Sequence, residues 1–307
     1  MGYVKPVARR LPDGSIGAVL PFHISYEGLE KAIICKDDED CDTLVKCMVI
    51  CARRKNVIII IYAVVSNHAH LAVLARNIYE AKAYAREVKR MYSQLFSRKY
   101  GSSKVLHHTD VDVQLLDNDW YLRNALAYIP RNAYDNGAKN LMDYKWTGFR
   151  AFFRSESSVG KGRVVSDMTR RECREVLHTG DNLGDVPWRV NSEGELEPDS
   201  FCDIAYLERA FNNDETFFHK SVGGVNMAEM TQKLVVSPRQ MKTDAEFLKD
   251  VEAISLRWFM TGVRDLPSSR KARLIPYVYH TMKTTVPQLA RIFGLSRNDI
   301  TRLLNIK

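Results

Sequence analysis

Two histidines separated by one residue, His68 and His70, stand in the segment SNHAHLAV. Side chains alternate between the two faces of a β-strand, so on a strand these two imidazoles point the same way. Two imidazoles on one face can bind one divalent cation, although the same spacing also occurs on strands that bind nothing. Here the pair follows a long apolar segment, where buried polar groups are costly unless they serve a purpose.

A tyrosine and an asparagine lie four residues apart in the segment YIPRN, at Tyr128 and Asn132. On a helix they share a face, which would place a phenolic nucleophile beside an amide oxygen able to act as a third metal ligand. Tyr128 could equally be a core aromatic with its hydroxyl at the surface. The neighbouring tyrosines lack an amide or carboxylate four residues later: Tyr121, Tyr134 and Tyr144.

Strand and helix patterns alternate through the first half of the chain and predict an α+β layer domain that ends near residues 143–153. The apolar segment NVIIIIYAVVSN has the composition of a central strand covered on both faces. The predicted strands are 17–26, 57–65, 68–75 and 111–117, and the predicted helices are 38–55, 78–101 and 118–129.

Residues 156–204 are rich in Ser, Gly, Asp and Glu and are interpreted as a linker around one short helix at 167–178. The segment VGKG within this region lacks the G-x-x-x-x-G-K-[ST] pattern of a phosphate-binding loop. The sequence is therefore divided into a catalytic domain at 1–155, this linker, and a helical C-terminal domain at 205–307.

The segment TTVPQLARIFGLSRNDITRLL at 284–304 predicts a helix, a tight turn at Gly294 and a second helix. Ser296 and Asp299 form an S-x-x-D pattern that is typical of a helix N-terminus. This pair is predicted to be a DNA-binding helix-turn-helix, with a plain helical hairpin as the alternative. The side chains predicted to face DNA from the second helix are Arg297, Asn298, Thr301 and Arg302.

The bulk composition fits a protein that binds a polyanion without a membrane anchor. The formal net charge is +8 and the pI is about 9.1, which suits a nucleic-acid partner. The longest apolar run, at 57–65, is too short to cross a bilayer, and a secretory signal is not evident at the start. None of the six cysteines forms a CxxC pair, so reduced cysteines and a cytoplasmic location are expected.

Four segments together resemble the HUH single-tyrosine transposases, and most closely the REP-associated tyrosine transposases. They are FHISYEGLEKAIICKDDEDCDTLVK (22–46), YAVVSNHAHLAV (62–73), YLRNALAYIPRNAYDNG (121–137) and DYKWTGFRAFF (143–153). The resemblance implies a central antiparallel sheet flanked by helices, with the histidines on a strand and the tyrosine on a helix facing them. This chain departs from the family's tyrosine element at Ala133 and Asn136, and Pro130 falls where a proline can kink a helix.

The resemblance also implies a reaction. Tyr128 would attack a phosphodiester in single-stranded DNA, at a hairpin or repeated palindrome, and form a 5′-phosphotyrosine. His68, His70 and Asn132 would bind Mg²⁺ or Mn²⁺. Relatives are monomers or homodimers. Two other functions stay open: a non-catalytic DNA-binding regulator of the same fold, and a two-histidine metal hydrolase that acts through water.

Basic residues interleaved with aromatic ones on the long helix suit contact with a single strand, through Lys89, Arg90, Arg98 and Lys99. The alternative is a helix with an aromatic core face and a solvated basic face. Arg150 and Arg154 are similar candidates near Trp146. His23 could approach DNA, but a strand-end histidine satisfied by local hydrogen bonds is the preferred interpretation, and His107 and His108 are assigned no role.

Overall fold

The computed structural model of the chain describes residues 3–27, 33–101, 111–154, 161–224, 242–282 and 284–304. The chain forms two compact units, Met1–Met230 and Thr231–Lys307. This division differs from the one made on sequence, because positions 155 and 204 both fall inside the first unit. His107 and His108 lie outside the described residues.

The first unit is built around an antiparallel sheet with helices between its strands. From β2 to β5 the order is strand, helix, strand, strand, helix, strand. The elements are β1 (Val7–Arg10), β2 (Ile16–Glu27), α1 (Asp38–Lys55), β3 (Ile58–Val64), β4 (His68–Ala75), α2 (Ile78–Tyr100), β5 (Asp112–Leu115) and α3 (Asp119–Asp135).

Strand order in the sheet is β1-β2-β4-β3, and β5 pairs with β2 as well. Every pairing is antiparallel. The long strand β2 bonds β1 near its start and bonds both β4 and β5 farther along. The predicted α+β class with a central antiparallel sheet is confirmed.

Helices α1 and α2 cover one face of the sheet. Asp37 caps the start of α1, where its side chain accepts from the Asp40 N–H, and Asn56 caps the end in the left-handed conformation. On β4 the side chains that face these helices are wholly buried: Ala69, Leu71, Val73 and Ala75. Their small and branched shapes let the two helices pack closely on the strand.

Helix α3 covers the opposite face. Its N-cap, Asn118, accepts from the Tyr121 N–H, and Ala125, Leu126 and Ile129 are buried against β3 and β4. Pro130 stands inside this helix, where it has no N–H to donate. The helix nevertheless continues to Asp135, so Pro130 does not interrupt the spacing of the residues on either side of it.

Residues 161–203 pack as part of the first unit rather than as a linker. They contain a two-stranded sheet of β6 (Arg163–Val164) and β7 (Arg189–Val190) and the helix α4 (Arg170–Leu177). The buried side chains of this region join the same core as α1 and α2: Val165, Cys173, Leu177, Leu183, Val186, Trp188, Val190 and Leu196. The composition of the region, rich in Ser, Gly, Asp and Glu, predicted a linker, and the irregular spacing of these buried residues follows neither a helix nor a strand period.

Helices α5 (Ile204–Ala210) and α6 (Glu215–Gly224) also belong to the first unit and pack on α3. Phe211 and Phe218 are fully buried in the core beneath α3. Arg123 on α3 donates to the Ala210 carbonyl at 2.5 Å. The sequence pattern predicts them in the C-terminal domain, because helical periodicity does not reveal which core a helix joins.

The second unit contains four described helices around its own core. They are α7 (Asp244–Phe259), α8 (Ser268–Thr281), α9 (Val286–Phe293) and α10 (Arg297–Leu303). Gly294 at the end of α9 has a φ of 63°, a conformation that glycine adopts without strain. Ser296 caps α10 by accepting from the Asp299 N–H. The two helices and the turn lie where the sequence predicts them, and their role in DNA binding stays a prediction.

Among the residues that the structure describes, no helix is both long enough and apolar enough to cross a membrane.

Replacing Trp188 tests whether residues 161–203 belong to the core. The Trp188 side chain is 7% exposed, so Trp188→Ala should lower the free energy of unfolding by about 3–5 kcal/mol. Urea unfolding measures this change. The matched control is Arg171→Ala on α4, whose side chain is 88% exposed and which should change stability by less than about 0.5 kcal/mol. Equal stabilities for the two variants would contradict the packing.

Candidate active site

Strand β4 carries both histidines on the face that α3 covers. His70 stands opposite Ser25 of β2, and the next residue on the same face, Ala72, stands opposite His23. The intervening side chains of β4 point into the core beneath α1 and α2. His68 and His70 therefore share a face, as the spacing predicts, and their ring centroids are 5.1 Å apart.

Helix α3 brings Tyr128 and Asn132 to these histidines. The Tyr128 ring lies edge-on to the His70 ring with 5.3 Å between centroids. The Asn132 Oδ1 atom lies 2.9 Å from His68 Nε2. The four residues singled out by sequence thus form one cluster, with a tyrosine, two imidazoles and an amide oxygen in contact across the sheet–helix interface.

The orientation of the Asn132 amide is set by its own helix. Its Nδ2 group donates to the backbone carbonyls of Tyr128 at 3.0 Å and Ile129 at 3.1 Å. The amide oxygen must then point the other way, toward His68. Because carbonyls only accept hydrogen bonds, a flipped amide would place its oxygen against these two carbonyl oxygens.

Two amide oxygens lie against the two ring nitrogens of His68. Its Nδ1 lies 2.7 Å from Asn67 Oδ1, and its Nε2 lies against Asn132 Oδ1. A neutral imidazole carries one N–H. If Nδ1–H donates to Asn67, the lone pair of Nε2 faces the lone pairs of Asn132, an arrangement that a cation between them would relieve.

Burial differs within the cluster. Tyr128 and Asn132 are each 3% exposed and His70 is 6% exposed. His68 is half-buried and marks the side on which the cluster meets solvent. The phenol is thus held by packing on most of its surface, which restricts its rotamers.

His23 is a member of this cluster that the sequence interpretation missed. Its Nε2 lies 3.2 Å from His70 Nδ1, and the two rings stack with centroids 5.2 Å apart. Its position at a strand end predicts local hydrogen bonds, but its partner His70 lies 47 residues away. The sequence signal for this role was the two-residue spacing of His23 and Ser25 on a predicted strand. This spacing puts His23 on the face of the sheet that carries His68 and His70.

Burial keeps His23 and His70 neutral. It lowers the pKa of His23 to about 4, with the nearby Asp112 carboxylate opposing the shift. Burial also lowers the pKa of His70 well below its usual value, and the neighbouring His23 and His68 add to that effect. Neutral imidazoles have lone pairs to offer a cation, whereas protonated ones do not.

The other tyrosines considered on sequence have different surroundings. The Tyr121 hydroxyl donates to Gln114 Oε1 at 2.5 Å, and the Tyr144 hydroxyl donates to the Val64 carbonyl at 2.8 Å. Tyr134 is 40% exposed. Tyr128 is the tyrosine that lies against a candidate histidine ligand, in agreement with its selection on sequence.

The basic residues of α2 lie across the sheet from this cluster, since α2 and α3 cover opposite faces. The aromatic residues between them, Tyr92 and Phe96, are buried in the core, so they are not available for base stacking. Lys99 pairs with three carboxylates, and Arg90 pairs with Glu87. Lys89 and Arg98 occupy the same helix, and their DNA contact stays a prediction.

The remaining candidates for DNA contact lie in two other places. Arg150 is half-buried in a 3₁₀ turn at Gly148–Ala151 beside β3, and Arg154 is exposed just after it. Arg297, Asn298 and Arg302 are exposed on α10 of the second unit. The Thr301 hydroxyl donates to the Arg297 carbonyl at 2.8 Å, so its proton is already used within the helix.

In the part of the chain that the structure describes, no group of three or more His, Cys, Asp or Glu side chains could hold a metal ion. The candidate donor set here is instead two imidazole nitrogens and an amide oxygen. The 2.9 Å between His68 Nε2 and Asn132 Oδ1 matches the roughly 3 Å expected between adjacent ligands at bond lengths of about 2.1 Å. His68 and Asn132 are thus spaced as two ligands of one divalent ion would be.

Comparisons with known proteins give distant structural likenesses alone. No protein-family model matches the chain, and no curated protein matches its sequence. The structure is similar to that of a REP-associated tyrosine transposase bound to a REP hairpin, with a TM-score of 0.36 and 14% identity. The match covers 49% of this chain and 81% of that one.

Acid should destabilise the fold through His23. Its pKa is lowered from 6.5 to about 4, so below pH 6.5 the unfolded chain binds a proton that the folded chain does not. The stability from this group is complete above pH 6.5 and is lost as the pH falls toward 4. We expect a loss of about 2 kcal/mol between about pH 7 and pH 5.

Urea unfolding of the wild type and of His23→Gln at both pH values measures this loss. The variant lacks the titrating group, so its free energy of unfolding should fall by about 2 kcal/mol less than that of the wild type. Parallel decreases in the two proteins would mean that His23 is not a buried neutral imidazole.

Proposed function

We propose that this protein is a metal-dependent enzyme that cuts and rejoins single-stranded DNA, with Tyr128 as its nucleophile. The observation that carries the proposal is the convergence of His68, His70, Tyr128 and Asn132 from two elements on opposite sides of one interface. The family resemblance of the sequence, with its histidine and tyrosine elements, supports the same assignment.

The chemistry of the cluster suits attack on a phosphodiester. The Tyr128 oxygen would bond to phosphorus while the bond from phosphorus to the 3′ oxygen breaks. The phenol gives up its proton, and the departing 3′ oxygen takes one up. The products are a 5′-phosphotyrosine and a free 3′-hydroxyl, and attack by another 3′-hydroxyl reverses the step. The covalent intermediate retains a phosphodiester bond for rejoining.

A divalent ion would be held by His68, His70 and Asn132. When bound, it would polarise the phosphate oxygens and stabilise the charge that develops during attack. Two nitrogens and one amide oxygen favour Mn²⁺ somewhat over Mg²⁺, which prefers oxygen ligands. The protein side chains orient the phenol, and their burial restricts water near it.

The proposed substrate is a single strand with a hairpin. A net charge of +8 favours a polyanion and predicts binding that weakens with salt. The exposed Arg297, Asn298 and Arg302 on α10 are proposed to contact duplex DNA, such as a hairpin stem. Helix α2 covers the other face of the sheet, so any contact of DNA with Lys89 and Arg98 would lie away from the Tyr128 cluster.

The reaction predicts a covalent adduct. Single-stranded DNA from the flanks of the protein's own gene, labelled at its 3′ end and incubated with the protein and Mn²⁺, should yield a protein–DNA band on a denaturing gel. The 3′ label is needed because the tyrosine retains the 5′ phosphate of the downstream fragment. Tyr128→Phe should abolish the adduct, since phenylalanine has no nucleophilic oxygen.

Tyr134→Phe is the matched control for this assay, because Tyr134 lies on the same helix and is 40% exposed. It should form the adduct at the wild-type rate. An adduct that persists in Tyr128→Phe would remove Tyr128 from the mechanism. Cleavage without an adduct would favour hydrolysis through water, and duplex binding without cleavage would favour a regulator.

Metal binding gives an independent prediction for Asn132. Asn132→Ala removes one of three proposed ligands and should weaken Mn²⁺ binding by at least about 10-fold, since even outer partners of metal ligands contribute 10–100-fold. The signal of free Mn²⁺ in electron paramagnetic resonance measures this. The control is Asn136→Ala, one turn farther along, whose amide donates to the Asn132 carbonyl. Equal affinities in the two variants would rule Asn132 out as a ligand.

A further inference from the structure

The contact between His23 and His70 is an enclosed hydrogen bond between two imidazoles. The 3.2 Å separation joins His23 Nε2 to His70 Nδ1, and the near-parallel rings, at 16° to each other, hold this alignment. His23 is 8% exposed and His70 is 6% exposed. Solvent therefore contributes little to this pair, and its proton arrangement depends on the protein.

Two neutral imidazoles can share this bond in two ways. If His23 donates from Nε2, then His70 accepts at Nδ1 and carries its own proton on Nε2. If His70 donates from Nδ1, then its Nε2 has an exposed lone pair. Only the second arrangement leaves His70 able to bind a cation beside His68, because Nδ1 is occupied by His23 in both.

We infer that His23 is a positioning residue that accepts the Nδ1 proton of His70 and so holds His70 in the tautomer whose Nε2 can bind the metal. This inference rests on the proposed function, since it assigns His70 to the metal. It gives each histidine ligand its own outer partner. Asn67 contacts Nδ1 of His68 at 2.7 Å, and His23 contacts Nδ1 of His70.

His70 needs a partner that accepts its Nδ1 proton, because an imidazole without such a partner favours the tautomer protonated on Nε2. A histidine side chain in water carries its proton mainly on Nε2, the nitrogen that His70 would need bare. Histidine ligands in metalloproteins usually donate their second N–H to a carboxylate, a carbonyl or water. Here the residue in that place is a third histidine.

The groups beside His23 do not compete for this bond. Gln114 is the register partner of His23 on β5, but its side chain accepts from Tyr121 and donates to Asp112, each at 2.5 Å. The Gln114 side chain is therefore engaged by Tyr121 and Asp112. The Nε2 atom of His23 is thereby left to His70.

The first test uses the wild-type protein without metal. Long-range ¹H–¹⁵N correlation spectra of protein labelled at histidine distinguish protonated from bare ring nitrogens. His70 should show a protonated Nδ1 and a bare Nε2, and His23 should show a bare Nε2. A protonated Nε2 on His70 would overturn the inference without any substitution.

The second test measures Mn²⁺ affinity in variants of β2 by electron paramagnetic resonance. His23→Leu removes the acceptor and should weaken binding by about 10–100-fold, with His70 shifting its proton to Nε2. His23→Gln keeps an acceptor oxygen and should stay near the wild type. Ser25→Ala, on the same face of the strand and opposite His70, is the control and should bind Mn²⁺ normally.

The outcomes separate this inference from the proposed function. A wild-type protein that neither binds Mn²⁺ nor forms the DNA adduct would contradict the proposed function. A wild type that does both, with His23→Leu equal to it in affinity, would contradict only the role of His23. If His23→Leu does not fold, the wild-type tautomer and the affinity of His23→Gln decide the matter.

Discussion

Strand β4 lies inside the sheet, hydrogen-bonded to β2 on one side and to β3 on the other. Its two faces are chemically different: one is apolar and packs beneath α1 and α2, and the other carries His68 and His70 toward α3. A shift of one residue in either pairing would exchange these faces. It would bury both imidazoles in an apolar core and point Leu71 at the helix that carries the tyrosine. The geometry of the cluster therefore depends on the register of this one strand.

Burying a polar cluster in such a place is costly unless its members satisfy one another. Asn132 meets this condition through its own helix, since its amide donates to two carbonyls one turn back. His70 meets it through His23, and His68 meets it in part through Asn67. The contact between His68 and the Asn132 amide oxygen lies at the half-exposed edge of the cluster. Solvent can reach polar atoms at that edge, so burial costs least there.

Packing around α3 holds the tyrosine in place from the side away from the sheet. Helices α5 and α6 cover α3, and the Arg131 side chain donates to the Gly223 carbonyl at 2.6 Å. Pro130 removes one backbone donor from the middle of this helix without ending it. The helix is supported on several sides, so the spacing of Tyr128 and Asn132 survives a residue that would break an isolated helix.

Local patterns in the sequence determined much of this protein. Alternation put His68 and His70 on one face, four-residue spacing paired Tyr128 with Asn132, and turn residues marked the helices around Gly294. Those properties depend on residues that are close together in the sequence, so the sequence pattern reveals them directly. Only the tertiary structure decided which surfaces meet. His23 contacts His70, which lies 47 residues away in the sequence. Helix α2 packs on the face opposite the cluster, and residues 161–224 pack into the cores of the first unit. Such contacts follow from packing between distant segments, which leaves no periodic trace in the sequence.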